Sequence, residues 1–387
     1  MRIYSNDEEG RVRTSKLVRD WAQSGLIESA QLTAIDEELR TDLRRTNIVL
    51  RIVLFLFTAM VLQSFVGFGL LLVDVRDQWF VGGVAIVAGA GATMLGEFLI
   101  TRLRFFRFGV EEACAMCAIA LVTGGIGVLV VAETRQSPVT SVLVVASLAG
   151  LASYARYGYL YAGFGAMAGA AAVPFTLELP EPAARACSAL VLLIIFAGVR
   201  SLRSATEEEH LHDEFKLLES AAWLGLYAVL NLKLTSDLWS TPAYSRTFVL
   251  GTYAAIWILP SVGLGLGIRG RQRWMIWANI VTALVTLATN KMYLGWARHT
   301  WEPILLGLLL TGIAMGVRRW LSAGPGGERA GFTPRRILSS DQQSLSMLST
   351  VAGAAQPGTT QHTGTPTPDK FEPGGGASGG AGASGRF

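Results

Sequence analysis

The sequence predicts an all-α fold: a polytopic bundle of about ten transmembrane helices with both ends cytoplasmic. A helical cytosolic headpiece at 1–46 precedes the bundle at 47–321, and a disordered Gly/Ser/Pro-rich tail follows at 322–387. Three observations predict it. Hydrophobic residues fill 51% of the 387 positions and charged residues only 16%, against roughly a quarter charged in soluble domains. The apolar residues come in blocks of about twenty, the length that crosses a ~30 Å hydrocarbon layer. Basic residues concentrate in alternate loops, as cytoplasmic loops require.

The headpiece comes first. Leu17, Val18 and Trp21 precede Gly25, which suits a helix stop, and Leu32, Ile35, Leu39 and Leu43 repeat near the helical period. Two amphipathic helices are expected, the second running straight into the first span. They are too small to enclose a core of their own, so the headpiece should pack on itself, the membrane surface or a partner. The first apolar block follows some fifty mostly polar residues, which argues against a cleaved signal peptide.

The spans are expected at 53–73, 79–100, 110–132, 139–153, 158–175, 184–199, 221–238, 248–268, 275–289 and 303–317. Loops assigned to the cytoplasm hold Arg102, Arg104 and Arg107; Arg156; Arg200, Arg203 and Lys216; Arg269, Arg271 and Arg273; and Arg318 and Arg319. Those assigned outside hold mainly Arg76, Arg135, Arg185, Arg246, Lys291 and Arg298. This alternation supports an even count. Only 154–157 separates the fourth and fifth spans, so they also read as one broken helix. The same loop bias accounts for the net charge of +4, so membrane lipid is the expected contact and nucleic acid is not.

Within the cytosolic stretch 206–219, Thr206 and Glu209 form a capping box that starts a helix leading into the seventh span. From Gly324 the composition turns to Gly, Pro, Ser, Thr and Gln, which cannot offset the entropy of ordering. A short helix at 342–351 is the one element expected there.

Polar residues inside spans are the first place to look for chemistry. Asn279, Thr282, Thr286 and Asn290 line one face of the ninth span, and Asn231 with Lys233 interrupts the seventh. They could line a path for a small polar or anionic solute, or they could join helices, with Lys233 reaching to the outer interface. Glu97, Glu111 and Glu112 surround Arg102, Arg104 and Arg107. Proton transfer or simple neutralisation by those arginines both fit, and neutralisation is favoured.

Other candidates are weaker. His210 and His212 point apart on a helix, leaving Glu208 with His212 as the sole i, i+4 pair in a run read as a solvated face. Cys114 and Cys117 form a C-x-x-C without the further ligands of a metal site and read as packing residues. Segment 290–302, with Tyr293, Trp296, Arg298, His299 and Trp301, reads as an interfacial aromatic belt. Gly165 with Gly169, and Ala85 with Gly89 and Thr93, allow close helix approach. No P-loop, zinc, nucleophile-elbow or dinucleotide motif occurs. No enzyme activity, cofactor or metal is expected.

Trp21, Gly25, Leu26 and Ile27, followed by a helix leading into many spans, resemble predicted bacterial inner-membrane proteins of the domain of unknown function 2157 family. That resemblance implies a multi-pass protein of the bacterial inner membrane and no established activity. Phe371, Glu372 and Pro373 lead into Gly374, Gly375 and Gly376 and a glycine-rich finish closed by Arg386 and Phe387. This is similar to the ends of several bacterial envelope proteins, including those with a TPM domain, and the tail reads equally as a low-complexity linker or as a segment that another protein recognises in extended form.

Two functional readings follow. The favoured one is a non-enzymatic membrane scaffold that recruits protein partners through headpiece and tail. The other is a transporter of a small polar or anionic solute, its path lined by Asn231, Lys233, Asn279, Thr282, Thr286 and Asn290.

Overall fold

A computed structural model describes residues 2–71, 77–134, 138–206, 209–235, 244–294 and 302–325, with Arg329 and Phe332. The described residues are helical, apart from loops and two isolated bridges. Two helices form the headpiece, α1 (Asn6–Gln23) and α2 (Ser29–Glu38). The apolar part comprises α3 (Ile48–Leu71), α4 (Gln78–Leu103), α5 (Val110–Thr134), α6 (Val139–Tyr157) and α7 (Leu160–Ala172) with its 3-10 extension (Val173–Thr176). It continues through α8 (Glu181–Ala205), α9 (Glu209–Leu230), the single turn α10 (Leu232–Thr235), α11 (Arg246–Arg269), α12 (Arg273–Leu294) and α13 (Glu302–Ser322).

Six of these helices, α3, α4, α5, α6, α8 and α11, are long and apolar enough to cross a membrane. Their outward faces match that solvent: on α3, Phe57 is 65% and Phe65 79% exposed. In water such a surface would aggregate, whereas hydrocarbon covers it at no cost.

Small residues set the helix spacing. Gly82, Gly89 and Gly96 recur every seven residues on α4, and a Cβ at Gly89 would lie 2.7 Å from Val122 of α5. The α4–α5 seam therefore uses Gly89 from the expected four-residue stripe, and Gly82 and Gly96 besides. α6 and α7 form an antiparallel hairpin around Gly158, whose φ of 72° suits glycine. The Thr140 hydroxyl donates to that of Thr176 at 2.9 Å, tying its far ends. These are two helices, not one broken helix. Of the expected Gly165 and Gly169 pair, only Gly169 makes a close approach, to Ser147; Gly165 faces open space.

The headpiece departs from expectation in two ways. α1 buries Glu9, Val12, Ser15 and Val18, while Leu17 and Trp21 of the expected apolar stripe stay exposed. Glycine does end this helix: Gly25 has φ 73°, and the Leu26 N–H reaches back to the Trp21 carbonyl at 2.9 Å. α2 stops at Glu38 rather than running into α3. The chain between them is held extended by tertiary hydrogen bonds. The Arg44 N–H donates to the Arg104 carbonyl at 2.9 Å, and the Phe106 N–H donates to the Arg44 carbonyl at 3.1 Å.

Candidate functional site

Two polar assemblies stand out, one among α9, α11 and α12 and one where the headpiece meets the bundle. The first begins with α9, on which Trp223 and Tyr227 lie four residues apart and so share a face that Asn231, just past the helix end, continues. That face meets Asn279, Thr282, Thr286 and Thr289 of α12, all at most 6% exposed.

The side chains engage one another in sequence. The Trp223 indole N–H donates to Asn279 Oδ1 at 2.9 Å, and the Asn279 amide donates to the Met275 carbonyl at 2.7 Å. Tyr227 and Thr286 hydroxyls lie 2.8 Å apart. Asn231 Nδ2 donates to the Tyr227 hydroxyl at 3.0 Å and to Thr289 Oγ1 at 3.1 Å. Buried Trp and Tyr carry a polar group that needs a partner, and each finds one here.

α11 completes the joint through two special residues. Pro260 lies inside this helix and has no N–H for the Ile256 carbonyl four residues earlier. The Thr286 hydroxyl of α12 sits 2.9 Å from that carbonyl. Gly263, one turn further on, lies against the Trp223–Asn279 bond, where a Cβ would fall 2.1 Å from Asn279 Oδ1. Only glycine lets the three helices meet there.

The six expected path residues divide accordingly. Asn231, Asn279, Thr282 and Thr286 are buried and brought together. Asn290 is half-buried and accepts from the Tyr253 hydroxyl of α11 at 2.7 Å. α9 ends before Asn231, whose Oδ1 accepts from the Lys233 N–H at 3.2 Å, and the Lys233 side chain is half-buried on α10. Trp223, Tyr227, Tyr253, Thr289 and Gly263 were not anticipated. The four-residue recurrence of Trp223, Tyr227 and Asn231 was the available signal.

The second assembly is a clamp of ion pairs. Glu214 of α9, 3% exposed, accepts from Arg2 at 2.6 Å and from Arg13, and Arg107 lies 4.0 Å away. Arg2 also donates to Glu9 at 3.1 Å. Burial alone pulls the Arg2 guanidinium down, but the Glu214 and Glu9 carboxylates outweigh it and leave it above its ordinary value. Arg104 pairs with Glu8 of α1. On the other side of α9, Glu219 is fully buried beside Arg200 at 3.0 Å and Arg203 at 3.2 Å, both of α8.

The loop arginines thus do not neutralise Glu97, Glu111 and Glu112 as expected. Glu97 takes Arg156 at 2.8 Å, and Glu112 takes Arg51 of α3. The left-handed backbone at Arg104, Arg107 and Gly109 (φ 58°, 51° and 105°) gives this loop a sharp bend, and Arg104 and Arg107 reach Glu8 and Glu214 instead.

Cys114 and Cys117 are buried, as packing residues would be, while Cys187 is exposed. His212 Nε2 lies 2.7 Å from the Thr206 carbonyl. Thr206 ends α8, its hydroxyl donating back to the Leu202 carbonyl at 2.8 Å, and Glu208 lies outside the described residues. So do 295–301 of the aromatic segment, the expected helix at 342–351, and the tail residues Phe371, Gly374, Gly375, Gly376, Arg386 and Phe387.

No family model, curated protein or solved structure matches the chain. Its function must be argued from its own residues.

Proposed function

We propose that this chain is a non-enzymatic, multi-pass scaffold of a bacterial inner membrane, with about ten spans, cytosolic ends and protein partners held through headpiece and tail. One observation carries the reading. The polar groups best placed to line a solute path are spent on one another: Trp223 on Asn279, Tyr227 on Thr286, Asn231 on Tyr227 and Thr289. A transport site keeps donors and acceptors free for its solute, whereas a helix joint pairs them.

Further support comes from the helices and the clamp. Each apolar block expected to span overlaps one helix of 13 or more residues, counting α7, α9, α12 and α13 with the six that are long and apolar enough to cross a membrane. The headpiece is ion-paired to the same end of the bundle that carries the arginine-rich loops, which suits a platform at the cytosolic surface. On this reading Phe371 and the Gly374–Gly376, Arg386 and Phe387 finish are the partner-binding segment.

Purifying the intact chain and a chain lacking residues 374–387 from detergent-solubilised membranes tests the proposal. Partners that depend on the tail should disappear from the truncated sample. An identical set of co-purifying proteins in both would overturn the tail's role. The competing reading, solute transport along α9 and α12, predicts uptake into vesicles that survives this truncation.

A further inference from the structure

Glu111 is unlike the other buried carboxylates on the headpiece side of the bundle. Glu9, Glu112, Glu214 and Glu219 each have an arginine within ion-pair distance. Glu111 is 1% exposed; its Oε1 accepts from the Phe108 N–H at 2.7 Å, and its Oε2 is buried with no hydrogen-bond partner. A bare carboxylate oxygen sealed from water is strongly disfavoured, and binding a proton removes the buried charge.

The groups that face Glu111 leave it in this condition. Glu112 is adjacent and adds negative charge, while the Arg51 guanidinium is engaged by Glu112 in a two-pronged pair. Tyr4 comes from the headpiece, Tyr159 and Tyr161 from the start of α7, and Cys114 from the next turn of α5. The Tyr159 side chain is likewise buried.

The loop 104–109 connects this carboxyl to the headpiece. Glu111 caps it from one side at Phe108. From the other, the Tyr4 hydroxyl donates to the Phe105 carbonyl at 3.1 Å, and the Tyr4 ring meets Phe106 edge-on at 4.9 Å. Arg44 binds the same loop through backbone on both sides of Phe105. The loop has little slack, since a Cβ at Gly109 would lie 2.3 Å from the Arg51 carbonyl. Tyr4 thus covers, from the headpiece side, the loop that Glu111 caps.

We propose that the Glu111 carboxyl is a proton-binding site sealed by the headpiece, and that loss of its proton unseats the headpiece. The proton passes to bulk water as the seal opens, and the ionised carboxylate is then hydrated. Docked chain holds the proton and released chain does not, so docking is favoured at low pH and lost as pH rises. This does not depend on whether the tail binds a partner.

The test uses the full chain with Cys187 replaced and spin labels at exposed Thr14 and Ser201, which lie on α1 and α8. Label separations and infrared spectra are recorded between about pH 5 and 9. The released-to-docked ratio should rise by up to about tenfold per pH unit across the transition, in step with loss of a protonated-carboxyl band. Glu111→Gln should abolish that band and stay docked throughout. Tyr4→Phe, which keeps Glu111 but loosens the seal, should move the transition to lower pH and covers the case in which Glu111→Gln does not fold. His212→Gln, the control for the histidine of α9, should leave the transition in place. A wild-type separation that ignores pH, a band that persists in Glu111→Gln, or a transition moved by His212→Gln and not by Tyr4→Phe would overturn the proposal.

Discussion

The Thr286 hydroxyl of α12 lies 2.9 Å from the Ile256 carbonyl of α11, the group that Pro260 leaves without a helical donor. The same hydroxyl lies 2.9 Å from the Thr282 carbonyl one turn back on α12, so its single proton is shared between the carbonyls of two helices. Thr286→Val should therefore cost about 1–2 kcal/mol, an unmet buried acceptor being the larger part. Pro260→Ala restores an N–H and should recover part of the loss in the double variant, the Tyr227 hydroxyl still lacking Thr286. Thermal unfolding in detergent, read as a double-mutant cycle, measures this coupling.

Gly263 makes a sharper prediction. Its missing Cβ leaves room for the Trp223–Asn279 bond, so Gly263→Ala should push the two apart and destabilise the chain by at least about 2 kcal/mol. Asn279→Ala removes the acceptor without a clash and should cost about 1 kcal/mol. The order of the two melting temperatures checks the account, with Gly263→Ala lower.

Much of this was legible in the sequence and some was not. Apolar blocks locate the helices because a segment of that length has one solution in lipid. The polar face of α12 stood out because Asn and Thr contrast with apolar neighbours. Its partner face did not, since Trp223 and Tyr227 count as apolar in a span and only their polar tips matter here. Arg104, Arg107 and Arg156 were readable as loop arginines, but their partners Glu8, Glu214 and Glu97 depend on how the loop bends. The break after Glu38 was unreadable for a similar reason: the chain at Arg44 is extended by hydrogen bonds to a loop some sixty residues away.

Glu214 should hold the headpiece in place. Glu214→Gln removes the charge that Arg2 and Arg13 share and should weaken docking by roughly 2–3 kcal/mol, the partial exposure of Arg13 (30%) keeping the loss from being larger. Amide hydrogen exchange of α1 at one fixed pH should rise about a hundredfold, with the exchange of α12 unchanged.

The junction of α1 and α2 has its own pH dependence. The Ser15 hydroxyl donates to Asp36 at 2.8 Å and Arg19 donates at 2.9 Å, holding the Asp36 carboxyl below the usual carboxylate range. A lowered value in the folded state means the contribution is present above about pH 4 and is lost as pH falls through the folded value. Proteolysis within 24–28 by an acid-active protease should accelerate on acidification below pH ~4, and Asp36→Asn should remove that dependence.

The cysteines provide a check on packing. A small maleimide soluble in lipid should modify Cys187 in the folded chain, while Cys114 and Cys117 react only after denaturation. Intact-mass measurement before and after unfolding counts the adducts.

The account turns on whether the face shared by α9 and α12 is a closed joint. Thr282, 1% exposed and bonded to its own helix at the Asn279 carbonyl, is the mildest place to ask. With Cys187 removed, Thr282→Cys should resist a charged, membrane-impermeant thiol reagent added to either side of sealed vesicles and react only once the chain is unfolded. Modification in the folded chain, from either side, would mean that water reaches this face and would contradict the joint in favour of a solute path.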